Sequence, residues 1–255
     1  MTLCIGWDVG GWHGKRDGLA ALALSPDGAV DPVGRHCTVS LGDLVARGAL
    51  TLQMMAERLE LGTTFGSATR LILAVDAPLG FPRAFVQAAS SRFDAVPSLN
   101  VPLTEGWIKN PLAYRETDRY VFEKTEKQPL SPSLNALANN TSKARAACAC
   151  LRRKDSRVRI APFESDDSEV AVIEVYPALW KKDMSGVAVE MLDRVGNTDK
   201  DQKDAYLAAL TAACYEQART AAGGQSLPSV MTPPPGLSEV VRVEGWIYAP
   251  VLRGR

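Results

Sequence analysis

Five acidic residues stand where a chain of alternating strands and helices would put its chemistry. Asp8 closes the run Thr2-Leu3-Cys4-Ile5-Gly6-Trp7-Asp8, just before Gly10-Gly11, and Asp76 closes the apolar run Arg70 to Val75. Asp201 and Asp204 lie three apart at the start of a long helical pattern, and Glu174 sits between Ile173 and Val175 in a second apolar run. In an α/β sheet, function gathers where strands end and the chain reverses direction. Carboxylates brought to one such spot from separate elements repel each other unless a cation lies between them. Their hard oxygen atoms favour Mg2+ or Mn2+ over zinc.

Each acid also has an ordinary explanation. Asp201 could be a first-turn acid favoured by the helix dipole. Asp8 before Val9-Gly10-Gly11, and Asp76 before Ala77-Pro78, could be turn residues. Asp204 begins the stripe Asp204, Leu207, Leu210, Cys214, Ala218, at helical spacings of three and four, so it starts the helix face that packs on the core. An isolated carboxylate there would cost several kcal/mol, on the order of the penalty for any unpaired buried polar group. Glu174, inside an apolar strand, is hard to explain as decoration.

The elements that must position these acids follow from the pattern. Residues 2–8 and Gly18 to Leu24 are strand-like, and the turn Ser25-Pro26-Asp27-Gly28 favours an antiparallel hairpin with residues 33–39 as the third strand. Residues 41–61 turn helical with a break near Gly48, 70–75 form a buried parallel-type strand, and 84–93 are helical. Residues 94–165, rich in Pro, Ser and Asn with a helical patch at 139–154, read as an insertion or cap. Ala171 to Val175 is a second buried strand, 200–222 a helix stopped by Gly223-Gly224, and Val241 to Tyr248 a last strand-like piece. Three antiparallel strands followed by parallel strands and helices make a mixed α/β sheet of ribonuclease-H-like topology, a single domain over 1–255.

Asp8-Val9-Gly10-Gly11, Asp76-Ala77-Pro78-Leu79-Gly80, Glu174-Val175-Tyr176-Pro177, Lys203-Asp204-Ala205 and Glu244-Gly245-Trp246-Ile247 resemble, in order along nearly the whole chain, the ribonuclease-H-like nuclease family catalogued as domain of unknown function 429. The Asp201-x-x-Asp204-Ala205 helix start is also similar to that of bacterial Holliday-junction resolvases, which commonly carry Glu where this chain has Asp76. The resemblance implies phosphodiester hydrolysis with Mg2+ or Mn2+. Asp8, Asp76 and Asp204 would be the core ligands and catalytic acids, and Asp201 or Glu174 the fourth. Two ions about 3.5–4 Å apart would serve the attacking water and the leaving oxygen.

Nucleic acid is the partner this implies, with phosphate held by basic groups. The dense run Lys143, Arg145, Arg152, Arg153, Lys154, Arg157 and Arg159 is the first candidate, and Arg115 and Arg119, near Tyr114, the second. A charge run is also what a solvated helix face looks like.

Composition excludes other classes. In 255 residues, 46% are apolar and 23% charged, enough for a sizeable core and against wholesale disorder. Lys and Arg together number 29, as do Asp and Glu, so bulk positive charge does not hold a polyanion. Five scattered cysteines with a lone Cys148-x-Cys150 argue against structural zinc and for reduced thiols. No apolar run is long enough to cross a membrane, and a cytoplasmic location is expected. Gly10 to Lys15 is no phosphate loop, because Arg16 replaces the required Ser or Thr, and no Gly-x-Ser-x-Gly elbow is present. Two alternatives stay open: a nucleotide-dependent phosphotransferase of the actin and sugar-kinase type, and a non-catalytic nucleic-acid-binding module.

Overall fold

The computed structural model describes residues 1–13, 16–92, 106–182, 186–220 and 227–251. Gly14 and Lys15, the first part of the expected insertion, and the helix stop Gly223-Gly224 lie outside the described residues.

Strand β1 (Thr2–Asp8) sets the frame by alternation. Leu3, Ile5 and Trp7 enter one core, while Cys4 enters another on the opposite face. Strand β2 (Asp17–Leu24) runs antiparallel to it and divides the same way: Leu19 and Ala21 to the first core, Ala20 and Leu22 to the second. Two short strands, β3 (Val30–Pro32) and β4 (Cys37–Val39), both pair with β2. They replace the single strand expected over 33–39. Gly34 lies between them at φ +66°, a left-handed turn that an extended strand cannot contain.

Helices α1 (Gly42–Ala46), α2 (Leu52–Arg58) and α3 (Gly62–Ser67) follow, then strand β5 (Arg70–Asp76), parallel to β1. After helix α4 (Arg83–Ser90) and a 3-10 turn at Trp107–Lys109 come α5 (Glu116–Thr125), α6 (Asn135–Lys154) and strand β6 (Val158–Ile160). Strand β7 (Val170–Val175), a 3-10 turn at Pro177–Lys182, α7 (Val187–Val195) and α8 (Lys200–Thr220) complete the second half. The chain closes with a 3-10 turn at Pro235–Leu237, α9 (Ser238–Glu244) and strand β8 (Ile247–Tyr248). The stretch expected to be strand-like from Val241 is therefore mostly helix, ended by Gly245 at φ +85°.

Among the described residues the sheet has eight strands in the order β3-β2-β1-β5-β7-β6, with β4 also on β2 and β8 also on β7. Everything from β5 onward in that order is parallel. Helix α8 covers one face, where Ala205, Ala208, Ala209, Ala212 and Ala213 pack with Cys4, Ile72 and Ile173. Helix α6 covers the other: Ala144, Ala147, Cys148 and Leu151, at helical spacings of three and four, pack with Ile5, Leu73 and Val172. The helical patch of the expected cap is thus one of the layers that bury the sheet. No helix among the described residues is long and apolar enough to cross a membrane.

Candidate functional site at the acidic edge

Parity along the strands decides which acids meet. Asp8 shares its face with Cys4, and Asp76 shares its face with Ile72 and Ala74, so both point toward α8. Because β1 and β5 are parallel and pair Asp8 with Asp76, the two carboxylates leave one edge of the sheet from adjacent strands. The backbones there are about 4.8 Å apart, the ordinary strand spacing.

Helix α8 delivers the third acid, and two glycines let it come close enough. A Cβ on Gly6 would stand 1.8 Å from the Ala205 carbonyl oxygen, and one on Gly18 would stand 2.2 Å from that of Asp201. No side chain fits at either place, so the first turns of α8 rest directly on β1 and β2. A reciprocal cap fixes the start of the helix. The Gln202 amide donates to Asp199 Oδ1 at 2.8 Å, and the Gln202 side-chain oxygen accepts from the Asp199 amide at 3.1 Å. Thr38 of β4 donates to Asp199 Oδ2 at 2.8 Å and ties the cap to the sheet.

The electrostatics record the result. Burial, then the charges of Asp204 and Asp201, push the Asp8 carboxyl up to about 7, against a weaker pull from Lys200 and Lys181. Burial, then Asp8 and Asp204, hold the Asp76 carboxyl well above the usual carboxylate range. Asp204 is buried, and its Oδ1 has no hydrogen-bond partner although Lys181 Nζ lies 2.5 Å away. The contact is an ion pair without the direction of a hydrogen bond. Burial and nearby Asp76 and Asp118 also raise the Tyr176 hydroxyl to about 12, so it stays protonated beside the site.

The donors are all carboxylate oxygens, and one of them is buried and unbonded, which suits a hard divalent ion. Among the described residues, however, no three Asp, Glu, His or Cys side chains form a ready coordination set. Lys181 supplies the positive charge at Asp204 instead.

Glu174 is not part of this group. Its neighbours Ile173 and Val175 face α8, so Glu174 points to the opposite side of the sheet. There Arg115 grips it with two bonds, of 2.6 and 2.8 Å, and the Leu79 amide donates to it at 2.8 Å. Arg115, expected to touch phosphate, is wholly buried and also bonds Asp118 and the Glu244 carbonyl. The Glu244 carboxylate in turn accepts from the Arg83 and Glu116 amides at 2.7 and 2.9 Å. This network ties β7, α5 and α9 together and offers no surface to a ligand.

The other expected phosphate contacts separate as well. Arg119 is half-buried, bonded to Glu116 and the Tyr114 carbonyl. Helix α6 meets the acidic edge with its first half: Asn140 donates to the Val9 carbonyl at 2.7 Å, and Arg145 to the Leu79 carbonyl. Arg152, Arg153 and Lys154 are its last turn, roughly 20 Å further on at 1.5 Å per residue. They lie near β6, whose Val158 pairs with the first residue of β7 at the far edge of the sheet. Arg152 is held there by Glu164 at 2.6 Å.

Two residues of consequence carry no mark in the sequence. Lys181 follows Tyr176-Pro177 by a few positions, and only the 3-10 turn there carries it back to Asp204. Asp17, wholly buried, accepts from the Trp7 indole, the Gly10 and Leu41 amides and the Lys143 ammonium, and so fixes the loop that follows Asp8. Lys143 is thereby consumed inside the fold and does not face a ligand.

Fold and site together define a mixed α/β protein with an acidic cluster where parallel strands meet the start of a helix. Residues 6–192 match the model of a family described as protein of unknown function (DUF429), and the chain belongs to that family. No curated protein and no solved structure matches it.

Proposed function

We propose that the protein is a metal-dependent phosphodiester hydrolase acting on nucleic acid, built on a ribonuclease-H-like sheet. One observation carries the reading: Asp8 and Asp76 leave adjacent parallel strands in register, and the buried Asp204 lies over them. The strand order supports it, because the antiparallel meander stands on one side of β1 and the parallel strands on the other.

Asp8, Asp76 and Asp204 would hold Mg2+ or Mn2+, with Asp201 beside them. When bound, the ion supplies an acidified water and neutralises charge on the leaving oxygen. The chain's own groups do the rest. Asp8, with its carboxyl at about 7, exchanges its proton near neutral pH, the range in which a general acid or base works. Lys181 neutralises Asp204 in the free protein and competes with a cation for the same oxygen. Asp17 and Lys143 hold the loop after Asp8 and so orient its carboxylate.

The test is cleavage of end-labelled DNA and RNA with Mg2+ or Mn2+. Cleavage is expected in the wild type and should fall at least about a hundredfold in Asp8→Asn and in Asp204→Asn, as for the loss of a catalytic acid or base. No cleavage of either polymer with either ion, or cleavage that survives both substitutions, would overturn the reading.

A further inference from the structure

A pocket of about 330 Å3 opens on the outer side of β4, lined among others by Arg16, Arg35, His36, Arg58, Glu60 and Asp199. Three guanidiniums thus face two carboxylates, and both carboxylates are already engaged. Glu60 pairs with Arg35 at 3.4 Å, and Asp199 accepts from the Gln202 amide and the Thr38 hydroxyl. Those bonds outweigh burial and hold the Asp199 carboxyl below its usual range, so it stays charged and occupied. Arg16 and Arg58 make no hydrogen bond or ion pair with any described residue. Unpaired guanidiniums in a concavity of this size suit the oxygens of a phosphate, which they bind with two parallel bonds.

The position relates the pocket to the acidic edge. Asp8 pairs with Gly18 of β2, and Gly18 with Thr38 of β4, so the pocket lies two strand spacings, about 10 Å, from Asp8. That is roughly three stacked nucleotides at 3.4 Å each. We propose that this pocket binds a backbone phosphate of a nucleic-acid strand whose neighbouring segment lies at the acidic edge. The phosphate site follows from the pocket's own residues; the strand as its source rests on the hydrolase reading above.

The experiment is fluorescence anisotropy of a fluorescein-labelled single-stranded oligonucleotide with excess chelator, so that no metal-dependent step intervenes. Wild type, R58Q and R16Q/R58Q are compared, with unchanged melting temperature as the check on folding. R58Q should weaken binding about tenfold, the value of one charge-assisted hydrogen bond, and lower the salt slope by about one. Millimolar inorganic phosphate should compete. Folded variants that bind with wild-type affinity and salt slope would overturn the pocket. Phosphate binding to the wild type without oligonucleotide binding would overturn the strand. Failure of the hydrolase reading looks different: arginine-dependent binding persists while no metal ion yields cleavage. Cleavage with an unaltered KM in R16Q/R58Q would instead sink the pocket and leave the hydrolase reading standing.

Discussion

Asp8 is the residue at which the cost of the site is concentrated. Its carboxyl rises from an ordinary 3.8 to about 7 on folding, so the folded state prefers the protonated form. Stability conferred by that preference is present at low pH and is lost as pH rises between about 4 and 7. Asp8→Asn, measured without metal at pH 8, should therefore stabilise the protein by about 2 kcal/mol, or ~4–8 °C in melting temperature. Added Mn2+ should raise the melting temperature of the wild type at pH 8 and leave that of Asp8→Asn nearly unmoved. Lys181→Gln should act in the opposite sense. Without its ammonium, Asp204 is left buried with no countercharge, so the metal-free protein loses about 1 kcal/mol, discounted because Lys181 is partly exposed. Mn2+ affinity by titration calorimetry should rise several-fold, since the competitor for the Asp204 oxygen is gone. Asp8, Asp76 and Asp204 were legible because strand ends and a helix start mark them. Glu174 was read as a fourth-acid candidate because a strand's composition does not say which face its middle residue takes. Lys181 and Asp17 left no trace, since their partners are far away in sequence.

At the scale of elements, the seam between β1 and α8 is the decisive contact. Gly6→Ala would drive a methyl group into the Ala205 carbonyl, and a peptide group cannot move aside as a flexible side chain does. The variant should lose about 3 kcal/mol or more in urea unfolding, because α8 must lift from the sheet. Gly66→Ala in α3 is the matching control. Nothing lies within 4 Å of its Cβ position and its φ is ordinary, so it should gain about 0.5–1 kcal/mol by helix propensity alone. The long elements were legible from periodicity: β5, β7 and α8 fall within a few residues of expectation. Short ones were not. The split of β3 from β4 depends on a single glycine at φ +66°, and α9 is one short helix whose amphipathic pattern also reads as a strand.

The whole molecule is two cores divided by one sheet, and its charged interior joins parts that neither core holds alone. Arg115, Asp118 and Glu174 are all buried and mutually bonded, bridging α5 to β7. Arg115→Met leaves two carboxylates buried without a countercharge and should cost about 3–5 kcal/mol. Glu174→Gln should also destabilise the protein but preserve the Mn2+-induced rise in melting temperature, which separates a structural acid from a metal ligand. Net charge, legible from composition, concealed a spatial division: the basic run at the end of α6 and the acids at the end of β1 lie at opposite edges of the sheet. The main-chain seam at Gly6 and Gly18 has a mechanical consequence. With no side-chain layer as cushion, the spacing between Asp204 and the strand acids inherits the stiffness of the peptide units themselves. Lys181, on its short turn, is left as the one yielding part of an otherwise unyielding jaw.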